Sequence, residues 1–362
     1  MKNWWQKFIN SDWLLVAAIF ILVIFSLVIL FSLDNSPGKT SFFTKQLLAF
    51  FIGIFGYLFL VNKNYKIWQH YGWLSYLLSL LLLVAVLFFG EEVRNIKAWF
   101  IFGPISIQPV EFVKVLFIVF LARFLTSSVN PNNLLSKIFF VSLLTGILMF
   151  LIIQQPDLGS AMILFFILLA TIFFMPLRRW HYILIIFLIS LGAILSWNFF
   201  LQPYQKTRIM TFLNSNVDPL GEGYNITQAK VAIGSGGLWG RGLGFGTQSQ
   251  LKFLPEAQTD FIFAVIAENF GFLGSLVFLL VYFFFFYRLL RILIIARTDF
   301  GKFIALGVIV YIFVQLMINI GMNIGLLPVA GVPLPLVSAG GSSLLSVLLA
   351  LGLVQSIYVH DR

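Results

Sequence analysis

Four ionisable side chains stand where an otherwise apolar chain tolerates few. Asp260 lies in Phe253–Glu268, at the junction between a long glycine-rich stretch and a long apolar run. Glu111 and Lys114 follow Pro109 at the start of another apolar run, and a spacing of three puts them on one helical face. Asp157 sits in Gln155-Pro156-Asp157, a break of three residues between two more. A carboxylate at the mouth of a membrane helix is half dehydrated and meets both water and lipid head groups. That setting suits a proton acceptor working on a lipid-borne substrate. Each group also has a plain structural reading. Thr259 and Asp260 are favoured helix caps, Glu111 and Lys114 can neutralise each other, and Asp157 can simply form its turn.

The elements that must position these groups cross a membrane. The 362 residues are 60% hydrophobic and 10% charged, with 43 Phe, more apolar surface than a soluble fold of this length can hide. About 20 apolar residues span a bilayer. Ten runs qualify, at 13–33, 42–61, 71–90, 108–125, 138–154, 158–177, 182–201, 260–287, 303–323 and 341–359. The expected fold is an all-α polytopic membrane protein, one domain over 1–362, with ten transmembrane helices and a large extracytoplasmic loop, about 202–259, between helices 7 and 8. The first run is too long, and lacks the cleavage site, for a removable signal peptide. With the N-terminus cytoplasmic, the whole net charge of +10 falls on the inner side. That is the positive-inside bias, so both termini are expected in the cytoplasm and no nucleic-acid partner is implied.

Other motifs fail on inspection. The chain has no Cys, so it holds neither a disulfide framework nor a thiolate metal site. His70, His181 and His360 are scattered at cytoplasmic ends. Lys2-Asn3-Trp4-Trp5 reads as an interfacial anchor, and Gly38-Lys39-Thr40 lacks the first glycine of a P-loop. Residues Glu91 to Ile107 read as an interfacial amphipathic piece. The 202–259 loop carries Lys206, Arg208, Lys230, Arg241 and Lys252, nine glycines between Gly221 and Gly246, and a short amphipathic helix over Tyr224–Ile233. Its glycine amides and its bases, Arg208 and Lys230 among them, could hold a diphosphate. The Gly240–Gly246 spacing is not a dinucleotide fingerprint. Glu268, two turns past Asp260, could pair with a base in the bundle. The stretch from Gly325 to Ser343 reads as a re-entrant loop near Asp260 and Glu111, which makes Ser338, Gly340, Gly341 and Ser342 candidate substrate contacts.

Placed together, these stretches resemble the SEDS family (shape, elongation, division and sporulation; RodA, FtsW and SpoVE), and within it the RodA-type peptidoglycan glycosyltransferases. The resemblance rests on Gln108-Pro109-x-Glu111-Phe112-x-Lys114, Gln155-Pro156-Asp157-Leu158-Gly159, Arg208 to Phe212, Asp218-Pro219-Leu220-Gly221, Gly246-Thr247-Gln248-Ser249-Gln250, Thr259-Asp260-Phe261-Ile262-Phe263 and Gly340-Gly341-Ser342-Ser343. The Thr247–Gln250 and Gly331–Pro335 stretches look more like RodA than FtsW. The chain departs from the pattern at Gln258, where His is frequent, at Ala339, where Tyr is usual, and at Lys45, where Arg is typical.

The resemblance implies polymerisation of glycan strands from lipid II on the outer face of the bacterial cytoplasmic membrane during elongation. Asp260 matches the family's essential aspartate, Glu111, Lys114 and Asp157 its cavity residues, and Gln248 falls in a motif expected to bind substrate. It further implies a class B penicillin-binding transpeptidase as partner, alongside other elongation-complex membrane proteins. No cofactor is required by the motifs, though a divalent cation (Mg or Mn) could offset diphosphate charge in place of Lys114 and Arg208. Two other classes share the polytopic build: a flippase for lipid-linked precursors, which needs polar groups through both membrane halves, and a non-catalytic scaffold of the elongation complex.

Overall fold

The computed structural model describes residues 7, 9–34, 42–93, 96–103, 105–126, 134–177, 179–195, 197–198, 203–213 and 221–362. The Lys2–Trp5 anchor, Gly38-Lys39-Thr40 and Asp218-Pro219-Leu220 lie outside them. The chain is mostly helical: α1 (Trp13–Leu33), α2 (Phe42–Asn62), a 3-10 turn (Tyr65–Tyr71) leading into α3 (Gly72–Phe89), α4 (Pro109–Thr126), α5 (Leu134–Gln154), α6 (Leu158–Phe173), α7 (Arg179–Leu195), α8 (Pro203–Leu213), α9 (Glu222–Gly236), α10 (Thr247–Gln250), α11 (Ile262–Ile295), α12 (Asp299–Asn323) and α13 (Gly341–Asp361). Seven helical stretches are long and apolar enough to cross a membrane, so this is an integral membrane protein. The other three expected spans coincide with α4, α6 and α7. Of these, α4 carries Glu111, Lys114 and Arg123, while α6 and α7 have 16 and 17 residues.

Helices α12 and α13 form the buried centre, and α2, α4, α6 and α11 pack around them. Phe, Leu and Ile side chains fill the seams, while the many exposed Phe and Leu on α2, α3 and α5 face outward as a lipid-bathed surface requires. Hydrogen bonds sort the polar groups into two ends. At one end, Arg288 grips Asp12 through Nη2 at 2.6 Å, Tyr65 donates to Asp361 at 2.6 Å and Lys7 donates to Asn62 O at 2.8 Å. At the other end lie Ser32, Gln46, Gln108, Asp157, Gln258, Asp260 and Gly340, joined by bonds described below.

Two local features were not specified by the sequence reading. Residues 91–107, expected as an interfacial amphipathic piece, lie between α3 and α4. They form an antiparallel sheet of β1 (Glu91–Val93), β2 (Ile96–Phe102) and β3 (Ile105–Ile107), in the order β1-β2-β3. The run Ile96-Lys97-Ala98-Trp99-Phe100-Ile101-Phe102 is rich in β-formers, and Gly103 turns at φ 61°. The helix that follows Asp260 carries a break. α11 has 34 residues, about 51 Å at 1.5 Å each, well beyond the ~30 Å hydrocarbon core. Gly271 breaks it at φ 66°, ψ −164°. The backbone groups freed there pair with the glycine-rich segment. Arg241 N and Gly242 N donate to Glu268 O and Asn269 O, both at 3.0 Å, and Phe272 N and Leu273 N donate to Gly237 O and Leu238 O at 2.9 and 3.1 Å. The two segments pack so closely that a Cβ at Gly271 would strike Gly240 N, and one at Gly240 would strike Asn269 O.

Candidate functional site

Asp260 is half-buried in the turn just ahead of α11, whose N-cap is Phe261. Its backbone is held hard. Asn319 Nδ2 and Asn323 Nδ2 both donate to Asp260 O, at 3.0 and 2.9 Å, and Asn323 Oδ1 accepts Ala264 N at 3.0 Å. Asn319 Nδ2 also donates to Val332 O at 2.8 Å, which draws the 325–340 loop against the same turn. Gly331, at φ 63°, lies alongside the Asp260 carboxylate: a Cβ there would stand 3.9 Å from Oδ2, in ordinary contact. Ser338 Oγ donates to Thr259 O at 2.5 Å, and Ala339 N donates to Gln258 O at 2.8 Å.

The same loop reaches Asp157. Gly159, in the first turn of α6, abuts Ala330 O, 2.6 Å from where its Cβ would be. Asp157 caps that turn by accepting Ser160 N at 2.9 Å and takes a second bond from Gln108 Nε2 at 3.4 Å. Burial pushes its carboxyl above the usual carboxylate range, opposed by the Ser160 amide and the nearby Lys114 charge. Gln108 N in turn donates to Ser342 Oγ at 3.0 Å. One turn deeper, Lys114 Nζ meets Glu111 Oε1 at 2.6 Å, and the two side chains are 0% and 2% exposed. Tyr311 OH and Ser346 Oγ donate to Glu111 Oε2 at 3.3 and 3.4 Å.

The expected residues therefore separate into groups. Asp260, Ser338 and Gly331 share one wall, and Asp157, Gln108 and Ser342 share the wall across the 325–340 loop. Ser338, Gly340 and Ser342 use their polar atoms as internal latches. Gly340 N donates to Gln46 Oε1 at 3.1 Å, and Gln46 Nε2 donates to Ser338 O at 3.1 Å. Gly341 begins α13 against Ala49. Lys230 is exposed on α9 with its ammonium over Gly325, at the start of the same loop. Arg208 is half-buried on α8, which packs on α9. Gln248 belongs elsewhere: its amide, with that of Ser249, is capped by the fully buried Glu268 at 2.8 and 3.1 Å. Glu268 thus holds two backbone N–H groups rather than a base. The amides of Gly240, Arg241 and Gly242 are engaged on backbone carbonyls, so they do not form the expected diphosphate cradle.

The sequence reading missed Tyr311, Gln315, Asn319 and Asn323. They recur every four residues on α12 and make one buried polar stripe from the Asp260 turn to Glu111. That period, in an apolar helix, was the signal to use. Among the described residues no three His, Asp or Glu gather as a metal would need. Glu111 pairs with Lys114, and Asp157 accepts a backbone amide.

Comparison with known proteins then places the chain. The family described as "Cell cycle protein", that of FtsW, RodA and SpoVE, matches residues 7–362. The chain belongs to this family. It is similar to peptidoglycan glycosyltransferase MrdB of Escherichia coli, 35% identical over 100% of this chain and 96% of that one. It is likewise similar to stage V sporulation protein E of Bacillus subtilis, 38% identical over 98% of each. Among solved structures, it superposes on a chain of a peptidoglycan synthase complex that coordinates polymerization and crosslinking, with a TM-score of 0.81, 28% identity, and 97% and 98% of the two chains covered. The rod shape determining protein RodA of Thermus thermophilus gives a TM-score of 0.71 at 27% identity, covering 96% of each chain.

Proposed function

We propose that this chain is a peptidoglycan glycosyltransferase of the elongation type, polymerising lipid II on the outer face of the cytoplasmic membrane. Asp260 is its general base. The acceptor sugar's 4-hydroxyl oxygen attacks the donor's anomeric carbon, the bond to the lipid diphosphate breaks, and Asp260 takes the hydroxyl proton. One displacement inverts the anomeric centre and needs no sugar–enzyme ester. The observation that carries this reading is the pinning of Asp260. Two buried asparagines fix its carbonyl, and its half-buried side chain lies beside Gly331.

Lys230 and Arg208 offset charge on the departing diphosphate. Lys114, fully buried, acts through Glu111 and Asp157 as a fixed background charge. Helices α4, α6 and α7 complete ten spans, and the end that carries Asp12, Asp361 and Arg288 faces the cytoplasm. A class B transpeptidase cross-links the product, as the match to a synthase complex supports.

A flippase reading shares the family's polytopic build, but Asp260, Asp157 and Gln108 all cluster at one end, which favours chemistry at a single face. A scaffold reading leaves the pinned Asp260 turn without a purpose. Lipid II in detergent, with the purified chain and its transpeptidase, tests all three. Long glycan strands support the proposal; translocation of labelled lipid II in liposomes without polymer would replace it.

A further inference from the structure

The glycine-rich segment 237–253 carries a surface that a water-borne loop would not. Trp239 is 80% exposed, Phe245 75%, and Leu238 and Leu251 63% each. Arg241 and Lys252 are exposed among them, and no acid occurs from 237 to 253. Bare apolar patches of this kind mark a binding surface or a liability. Aromatic and aliphatic side chains mixed with Lys and Arg are the composition of a membrane interface.

The height of the segment decides what covers it. α1 has 21 residues, about 31 Å, and so measures the hydrocarbon core from end to end. Phe25 lies roughly 18 Å along it from Trp13. Its ring packs on Phe270 at 5.0 Å and on Phe278 at 5.4 Å, which puts the break at Gly271 just beyond the middle of the core, toward the Asp260 end. Trp239 is tied to that break through the bonds of Phe272 N and Leu273 N to Gly237 O and Leu238 O. Gln250 Nε2 donates to Ser32 O at 2.9 Å, in the last turn of α1. Residues 237–250 therefore run between the outer half of the hydrocarbon layer and its boundary, not through water above it.

We infer that 237–253 is a wedge seated in the lipid leaflet at the Asp260 end. Trp239, Leu238, Phe245 and Leu251 lie among acyl chains and glycerol esters, and Arg241 and Lys252 reach lipid phosphates. Its backbone ladder onto Glu268–Leu273 and the Glu268 cap of α10 keep it rigid. The occupant is the bilayer itself, and the inference stands whether or not Asp260 is a base.

The chain has no cysteine, so Trp239→Cys, Phe245→Cys and Leu251→Cys each supply a single thiol for a nitroxide. Phe55→Cys, on the lipid-facing side of α2, and Glu92→Cys, on β1, give acyl and water references. The measurement is collision with oxygen, which partitions into lipid, against a nickel chelate, which stays in water. In phospholipid liposomes the oxygen-to-nickel ratio at 239, 245 and 251 is expected several-fold above that at position 92 and toward that at 55. A ratio at all three positions equal to that at 92 would overturn the inference. So would protection of these positions only when a transpeptidase is added, which would make the patch a protein interface.

Discussion

Removing the charge of Lys114 tests how the deepest ion pair of the site is held. Its ammonium is 2.6 Å from Glu111 and neither side chain reaches solvent. Lys114→Met leaves a buried carboxylate with only the Tyr311 and Ser346 hydroxyls, at 3.3 and 3.4 Å. Breaking a buried pair from one side costs roughly 3–5 kcal/mol, whereas replacing both partners by neutral groups of similar volume is often neutral. The two hydroxyls already donate in the native state, so they compensate little, and a loss of about 3 kcal/mol or more is expected. Glu111→Gln combined with Lys114→Met should recover most of it. Unfolding of the purified variants in one detergent, followed by tryptophan fluorescence, ranks them: single variant far below native, double variant close to native. A single variant as stable as native, or a double variant as weak as the single, would refute the desolvation reasoning. The folded double variant then shows in a polymerisation assay whether the pair also tunes Asp157.

Three further outcomes follow from the geometry. Asn323→Leu removes the 2.9 Å bond to Asp260 O and strands Ala264 N, so about 1–3 kcal/mol of stability is lost. Its kcat should fall with KM little changed, because the carboxylate is misaimed rather than the substrate released; steady-state kinetics separates the two. Glu268→Ala uncaps Gln248 N and Ser249 N at a cost of roughly 1.5–3 kcal/mol, read as faster amide exchange over 247–251. Gly271→Ala places a Cβ against Leu238 O and Gly240 N at φ 66°, ψ −164°, a region essentially reserved for glycine that costs an L residue about 1–3 kcal/mol. Limited proteolysis between 237 and 246 should accelerate.

Local composition made the spans legible. The run at 13–33 is bounded by Asp12 and Asp34, and the structure ends α1 at those residues. The helix expected over Tyr224–Ile233 forms as α9, extended to Gly236. Asp260 and Asp157 lie at helix starts, and Ser338 lies three residues before α13. What stayed hidden depends on distant partners. A lone glycine in an apolar run usually sits quietly in a helix; Gly271 breaks α11 because Gly240, far upstream, brings backbone to pair with it. The sequence left the role of Glu268 open, and its partners are amides about twenty residues away in the chain. The sheet at 91–107 was masked by its mixed charges. The stripe at Tyr311, Gln315, Asn319 and Asn323 was readable by period, but its role emerged only when the Asp260 carbonyl appeared within reach of two of them.

The most direct measurement compares native chain with Asp260→Asn, each purified with its transpeptidase, in the rate at which lipid II becomes glycan polymer. The substitution preserves the shape of the side chain and leaves the Asn319 and Asn323 bonds, which go to the backbone, in place. Loss of a general base is worth about 10²- to 10⁴-fold, so the expected result is a folded variant of native stability that polymerises at least a hundredfold more slowly. A variant that matched the native rate would contradict the assignment of Asp260.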